Sequence, residues 1–272
     1  MVGIYVGVEE GIFAKNGMDA EIKITTLNPI IPASLVSNSV QIGAPTPTVF
    51  LQAVDSGLDL VVIAGVSIVT QGLKSVAVAV RRDSPITTAR DFAGKTVGVP
   101  GLNAVLHVTL QLWLDKNGVE PKSVRFVEGA LPVLGDLLKQ GQVDAVVLVD
   151  PFLTRSVQAN TAKVVAYFLP EVAAGQQTMY YATTREWAEK NPKKVAAFRQ
   201  GPEATTFIKA NTDKARKDTG KYFKVPPAVL QTLAMPETTP VVTPEQINYW
   251  NDVMPKLGML KNRIDPRKVL WP

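Results

Sequence analysis

Short apolar runs alternate with segments of helical period over the first two-thirds of the chain. Leu60–Val66 is an apolar run of strand length, and so is Val143–Val149 apart from Asp144. Ser75–Arg81 (SVAVAVR) is a third candidate strand. Asn103–Asn117 has helical spacing and ends at Gly118, which is a typical glycine stop. Strands separated by helices predict an α/β protein with parallel sheets covered on both faces.

The N-terminal part shows the same alternation. Ile4–Asn16 is predicted to be a helix closed by Gly17, and Asp19–Thr25 alternates as a strand does, as does the short Val40–Gly43. Further helices are predicted over Pro32–Asn38, Thr46–Ser56, Thr87–Phe92, Leu131–Gln140 and Pro151–Ala159, and further strands over Lys95–Val99, Ser123–Val127, Ala145–Val149, Lys163–Phe168 and Met179–Thr183.

After Thr184 the pattern becomes helical. Helices are predicted over Arg185–Lys190, Pro192–Thr219, Pro226–Ala234 and Pro244–Leu257, with proline, serine or threonine at their starts. Because no long Gly/Ser or Pro linker interrupts the 272 residues, two lobes would have to exchange chain through strands.

Composition excludes several kinds of chemistry. The chain has no cysteine and one histidine, so disulfides, thiolate nucleophiles and multi-histidine metal sites are excluded. The net charge is +5, and the most basic stretch, Lys209–Lys224, mixes its charges as a solvated helix face does, so we expect no nucleic-acid partner. The chain contains no run of about 18 apolar residues, so the sequence predicts no membrane-spanning helix.

Three predicted strands end just before a helix begins, at Gly43–Thr48, Val99–Ala104 and Asp150–Phe152. Ligands in open α/β sheets lie at such edges, and a helix start can hold an anion. Alternatively, Thr46, Asn103 and Asp150 simply cap their helices. The predicted ligand-binding residues are Thr46, Pro47, Thr48, Gly101, Leu102, Asn103, Ala104 and Asp150.

His107 is predicted in the first turn of the Asn103–Asn117 helix. Its neighbours are apolar, so a packed side chain is favoured over a ligand contact. With no base–nucleophile partner visible, we predict no catalytic residue, no metal site and no cofactor.

The order of motifs resembles the solute-binding proteins of the nitrate, sulfonate and taurine transport group. Tyr5–Met18 (YVGVEEGIFAKNGM) is similar to their opening helix, and Ser84–Val99 (SPITTARDFAGKTVGV) to a second conserved segment. Leu138–Ala145 (LKQGQVDA), Asp150–Phe152 and Arg185–Phe198 follow in the family order.

This resemblance implies a type II periplasmic-binding-protein fold, in which two lobes clamp a ligand. Lobe one would comprise residues 1–82 and 178–272, and lobe two residues 83–177, with crossovers near Ser75–Arg82 and Gln177–Thr183. The implied function is the receptor of an ABC importer, which captures a small anion of sulfonate, nitrate or carboxylate type by lobe closure. It would be a monomeric, non-enzymatic partner of a membrane permease. Leu102 replaces a small polar residue common in sulfonate binders, which disfavours a sulfonate.

The chain begins almost at the opening helix and carries no export signal, so relative to the family either it is truncated or its start was assigned too late. We expect the first strand of lobe one to be missing, with either a gap between Asp19–Thr25 and Val40–Gly43 or a substitute that fills it. The resemblance implies a periplasmic location, or an extracellular one at the membrane. Two alternatives stay open: an enzyme on the same fold, and a cytosolic effector-sensing domain.

Overall fold

The chain forms two compact units. The computed structural model describes residues 2–199, 202–223, 227–232 and 234–272. Unit 1 comprises Met1–Ile68 and Gln176–Pro272, and unit 2 is Val69–Gly175. The first predicted boundary, after residue 82, therefore falls fourteen residues inside unit 2, because the strand Val76–Arg81 pairs there. The second predicted boundary, after residue 177, differs by two residues.

The predicted elements are largely present. The strands are β1 Leu60–Gly65, β2 Val76–Arg81, β3 Thr96–Val99, β4 Arg125–Glu128, β5 Ala145–Val149, β6 Ala162–Ala166 and β7 Tyr180–Thr184. The helices are α1 Val2–Glu9, α2 Ile12–Lys15, α3 Ile31–Val36, α4 Pro47–Asp55, α5 Val105–Lys116, α6 Leu131–Lys139, α7 Phe152–Gln158, α8 Leu169–Ala173, α9 Arg185–Lys190, α10 Pro192–Arg199, α11 Pro202–Ala210, α12 Thr212–Gly220, α13 Pro227–Thr232, α14 Pro244–Val253 and α15 Pro266–Val269. Short 3₁₀ turns cover Asn28–Ile30, Ala89–Phe92, Pro121–Ser123 and Met254–Leu257.

Unit 2 contains a five-stranded sheet in the order β4-β3-β5-β2-β6. β3 runs parallel to β4 and β5, as predicted, but β2 runs antiparallel to both β5 and β6. The sheet is mixed because β2 runs in the opposite direction to its neighbours β5 and β6. A parallel arrangement of neighbouring strands would need a crossover connection. The carboxyl ends of β3, β4 and β5 and the start of β2 consequently meet at one edge.

The central strands of unit 2 are covered on both faces. Val78 and Val80 of β2 pack in one cluster with the rings of Phe92, Trp113 and Phe168. The alternate residues of β2 face a second cluster that contains Leu134 and Leu138 of α6. This two-sided burial explains why these strands are continuous apolar runs in the sequence.

Unit 1 has much less regular pairing. β1 and β7 form an antiparallel pair, Gly43 makes a single bridge to Ala182, and Val62 makes one to Leu270. The predicted strand Asp19–Thr25 is wrong, because the described chain has no regular strand pairing there. Within residues 2–25 the described structure contains the helices α1 and α2 and no strand.

Two predicted long helices are interrupted. The helix predicted over Ile4–Asn16 divides into α1 and α2 because Gly11 adopts a left-handed φ of 65°. Pro192–Thr219 divides into α10, α11 and α12, and residues 200 and 201 of that prediction lie outside the described residues. So do residues 226 and 233 of the predicted Pro226–Ala234 helix.

A buried glutamine links the segment around Val241 to the end of β1 by hydrogen bonds. Gln177 is fully buried; its Oε1 accepts the Val66 N–H at 3.1 Å and its Nε2 donates to the Val241 carbonyl at 2.8 Å. A Cβ on Gly65 would lie 2.4 Å from that Nε2, so glycine is required for this close approach. The segment around Val241 is thereby held against residues 65–66.

Replacing Gln177 should destabilise unit 1. In Gln177→Leu the Val66 N–H and the Val241 carbonyl lose a buried partner, and each such loss costs about 1–3 kcal/mol. We expect the free energy of unfolding, measured by urea denaturation with tryptophan fluorescence, to fall by about 2 kcal/mol or more. The exposed Gln140→Leu is the control and should change it by less than about 0.5 kcal/mol. Equal midpoints for the two variants would contradict this role of Gln177.

Candidate functional site

The loop before α4 in unit 1 is held by an asparagine from an earlier turn. Asn28 Oδ1 accepts the Thr46 N–H at 2.8 Å, and Asn28 Nδ2 donates to the Ala44 carbonyl at 3.1 Å. Thr46 occupies the N-cap position of α4, and Pro47 is the first helical residue, where a missing N–H costs nothing. This geometry fixes where the two predicted threonines lie.

The hydroxyls of Thr46 and Thr48 are neighbours, 3.3 Å apart. Both residues are buried, and the Thr46 side chain makes no capping bond to α4. Thr46, Pro47 and Thr48 thus lie at the start of α4, and the Thr46 hydroxyl does not form the simple cap that was the alternative.

Tyr180 joins this group in unit 1. Its backbone N–H donates to the Pro45 carbonyl at 2.9 Å, and its ring packs edge-on against Phe50 of α4. The residue is fully buried, and its hydroxyl has no hydrogen-bond partner among the described residues. Burial raises the pKa of Tyr180 well above its ordinary value, so the hydroxyl stays protonated. A buried hydroxyl without a partner beside the candidate threonines is a feature that an apolar strand pattern could not reveal.

In unit 2 the loop between β3 and α5 presents Leu102 and Asn103. Leu102 is 39% exposed, Asn103 is exposed in the left-handed region at φ 62°, and Gly101 and Ala104 are buried. Ala104, not Asn103, is the N-cap of α5, so the alternative in which Asn103 simply caps this helix is wrong. The four loop residues are adjacent as predicted, but only two of them are accessible within unit 2.

Two side chains accept hydrogen bonds from backbone N–H groups of this loop. Glu128, the last residue of β4, accepts the Leu102 N–H on Oε1 at 2.7 Å. His107 accepts the Asn103 N–H on Nδ1 at 2.9 Å. Glu128 was not predicted from the sequence, although it ends a strand at the same sheet edge, which is the signal that could have identified it.

His107 lies in the first turn of α5 and is buried, as predicted. Its ring packs edge-on against Phe126 at 4.5 Å, and the Gln111 amide lies 2.9 Å from Nε2. Because Nδ1 accepts from Asn103, the neutral ring carries its proton on Nε2. Burial lowers the pKa of His107 from 6.5 to about 4, so the ring is neutral at physiological pH.

Asp150 lies at the end of β5, at the same edge as the Gly101–Ala104 loop. Its Oδ1 accepts both the N–H and the hydroxyl of Thr154, at 3.0 and 2.7 Å. Its backbone N–H donates to the Ser75 carbonyl. Asp150 thus supports the first turn of α7, which agrees with the capping alternative, although Pro151 occupies the N-cap position.

Two cavities of unit 1 are not lined by residues of the loop before α4. One of about 50 Å³ is bounded by Ile4, Phe13 and Arg199 among others. Arg199 uses its guanidinium there to hold the carbonyls of Ile63 and Trp271 at 2.7 and 2.6 Å, so its role is structural. Within the described residues no group of three His, Cys, Asp or Glu side chains is arranged to hold a metal ion. Nor is any described helix sufficiently long and apolar to span a bilayer.

Removing the Tyr180 hydroxyl should stabilise the ligand-free protein. Tyr180→Phe eliminates a buried polar atom that has no partner among the described residues, and leaving such an atom buried costs about 1–3 kcal/mol. We expect a higher melting temperature in differential scanning fluorimetry. Tyr181→Phe, in the same strand, is the comparison variant. A lower melting temperature for Tyr180→Phe would show that the hydroxyl has a stabilising partner.

His107 should make stability depend on pH. The unfolded state binds a proton at the ordinary pKa of 6.5 and the folded state only near 4, so stability from neutral His107 is present above pH 6.5 and is lost as the pH falls towards 4. The loss amounts to about 3 kcal/mol in total. Urea titrations at pH 7, 5.5 and 4.5 should show a steeper decline for the wild type than for His107→Gln. Parallel declines would contradict the assignment.

Comparisons with known proteins match this architecture. Residues 1–215 match the family model described as NMT1/THI5 like. The alkanesulfonate-binding protein of Xanthomonas axonopodis pv. citri has a similar structure, with a TM-score of 0.87 and 16% identity, covering 100% of this chain and 94% of that one. A Brucella abortus relative, named only as a candidate binding protein, is 24% identical over 289 residues, 96% of this chain and 83% of that protein.

A more local similarity links the chain to the formylaminopyrimidine-binding protein of Halalkalibacterium halodurans, which is 30% identical over 146 residues, 53% of this chain and 42% of that protein. The structural match confirms the periplasmic-binding-protein fold. Because the family model extends over most of the chain, this protein is a member of the NMT1/THI5-like family.

Proposed function

We propose that this protein is the solute-binding receptor of an ABC importer. The observation that carries the proposal is the match of residues 1–215 to the NMT1/THI5-like family together with the fold of a periplasmic binding protein. Receptors of this architecture work by closing two lobes around a small molecule, and binding energy favours the closed state.

The residues proposed to contact the solute come from both units. Unit 1 contributes Thr46, Pro47 and Thr48, whose hydroxyls can donate and accept hydrogen bonds. Unit 2 contributes the loop Gly101, Leu102, Asn103 and Ala104, together with Asp150. Tyr180 is added to this set because its buried hydroxyl lacks a partner among the described residues.

The resemblance of the sequence favours a small anion of sulfonate, nitrate or carboxylate type. The relatives differ in what they bind, since one is named for alkanesulfonate and another for formylaminopyrimidine. The receptor function requires only that a small molecule is captured. It needs no cofactor, and we propose no catalysis, because both ring nitrogens of His107 already have neighbours within hydrogen-bond distance inside unit 2.

The proposed partners follow from this role. A membrane permease would receive the solute from the closed receptor, which would act as a monomer in the periplasm or at the outer face of the membrane. A nucleic-acid partner is not proposed. In the basic Lys209–Lys224 stretch, Lys214 pairs with Glu10 and Lys221 with Glu9, so these cations are engaged within unit 1.

The direct experiment is native mass spectrometry of the full chain purified without denaturation. The receptor proposal expects a subpopulation whose excess mass corresponds to one small molecule that is released on unfolding. Absence of any such species, combined with no thermal stabilisation by a broad panel of anions, cations and neutral heterocycles, would contradict it.

Thr46→Val should weaken solute binding. Loss of one hydrogen bond from a hydroxyl costs about 1–1.5 kcal/mol, which is about a tenfold loss of affinity. The measurement is isothermal titration with the solute identified by mass spectrometry. Thr25→Val, on an exposed extended segment of unit 1, is the control and should bind as the wild type does. Equal affinities for the two variants would remove Thr46 from the site.

A further inference from the structure

The backbone amides that an anion would use in the candidate loops already have partners within the chain. Leu102 N–H donates to Glu128, Asn103 N–H to His107, and Thr46 N–H to Asn28. An anion bound at the start of a helix depends on such N–H groups. To use the first of them, an anion would have to displace a carboxylate of the protein itself.

Glu128 stands one strand away from the point where the loop leaves β3. Val99, the last residue of β3, pairs in register with Glu128, and neighbouring strands are about 4.8 Å apart. The Glu128 carboxylate is exposed and reaches over the loop to Leu102. A ligand group that approaches Leu102 or Asn103 therefore meets a negative charge.

Asp150 and Arg155 also lie at this edge of the sheet. On the β5 side, Asp150 Oδ1 accepts from the N–H and the hydroxyl of Thr154. Arg155 lies one turn into α7 with its guanidinium over the Phe152 ring. Within the described residues, Glu128 is a carboxylate that directly contacts the Gly101–Ala104 loop.

The remaining features of this loop suit a ligand with an apolar body. Leu102 exposes an apolar side chain beside Glu128, and Asn103 exposes a polar one. A carboxylate accepts hydrogen bonds and cannot donate them when ionised, and Leu102 N–H uses only part of that accepting capacity. A cationic N–H group is the complement that gains both hydrogen bonding and charge attraction.

We propose that Glu128 determines the ligand class of this site. It fills the amide position that an anion would take, and it selects a ligand that carries a cationic N–H group, of the amine or amidine class, next to an apolar body. This inference rests on the proposed receptor function and replaces the anionic ligand that the family resemblance favours.

The test uses three probes of nearly equal shape and different charge: benzamidine, benzamide and benzoate. Isothermal titration of the full chain should show benzamidine binding at least tenfold more tightly than benzoate, with benzamide between them. In Glu128→Gln the ratio of benzamidine to benzoate affinity should fall at least tenfold. Glu120→Gln is the matched control, since Glu120 is an exposed glutamate before β4, at the opposite edge of the same sheet, and it should leave the ratio unchanged.

The outcomes separate this inference from the receptor function. Tighter binding of benzoate, methanesulfonate or nitrate than of benzamidine to the wild type would overturn the inference while the receptor function stands. No heat with benzamidine, or an unchanged ratio in Glu128→Gln, would also overturn it. A co-purified small molecule detected by mass spectrometry would keep the receptor function in either case. The wild-type comparison needs no variant, so it decides the question even if Glu128→Gln does not fold.

Discussion

The pairing of β2 with β5 is the constraint on which unit 2 depends. Ala77–Val80 and Ala145–Leu148 have no exposed surface, so water cannot satisfy their backbone N–H and C=O groups. Those groups must bond between strands, and the antiparallel register from Val76↔Val149 to Val80↔Ala145 does so along the full length. β5 also pairs with β3, and β3 with β4. The ends of these strands, and hence the Gly101–Ala104 loop, Glu128 and Asp150, are placed by this one ladder.

The sequence predicted what depends on local pattern. Buried strands such as β1 and β5 are apolar runs between turn residues, and their bounds agree with prediction to within one residue. Strand direction is different: the SVAVAVR pattern of β2 is the same whether its neighbours are parallel or antiparallel, so the mixed sheet could not be predicted. Asp19–Thr25 alternates as a strand does, but alternation forms a strand only where a partner is available.

In the candidate site, too, the sequence suggested the residues that depend on local pattern and missed those that depend on the fold. Thr46, Pro47, Thr48 and the Gly101–Ala104 loop became candidates because each lies where a predicted strand gives way to the start of a predicted helix. Asn28 and Glu128 were missed because they act over 18 and 26 positions of sequence, through contacts that only the fold creates. The capping interpretation failed for Asn103 because its left-handed backbone precedes the true cap.

The position of the one histidine has a practical consequence. Because the chain contains no other imidazole, the imidazole resonances in its NMR spectra belong to His107. Its Nδ1 bonds to the amide of Asn103, so a change at that loop alters the shielding of the ring nitrogens directly. The protein thus carries a built-in spectroscopic reporter four residues from a proposed contact, and screening solutes by NMR requires neither a dye nor a label at the site.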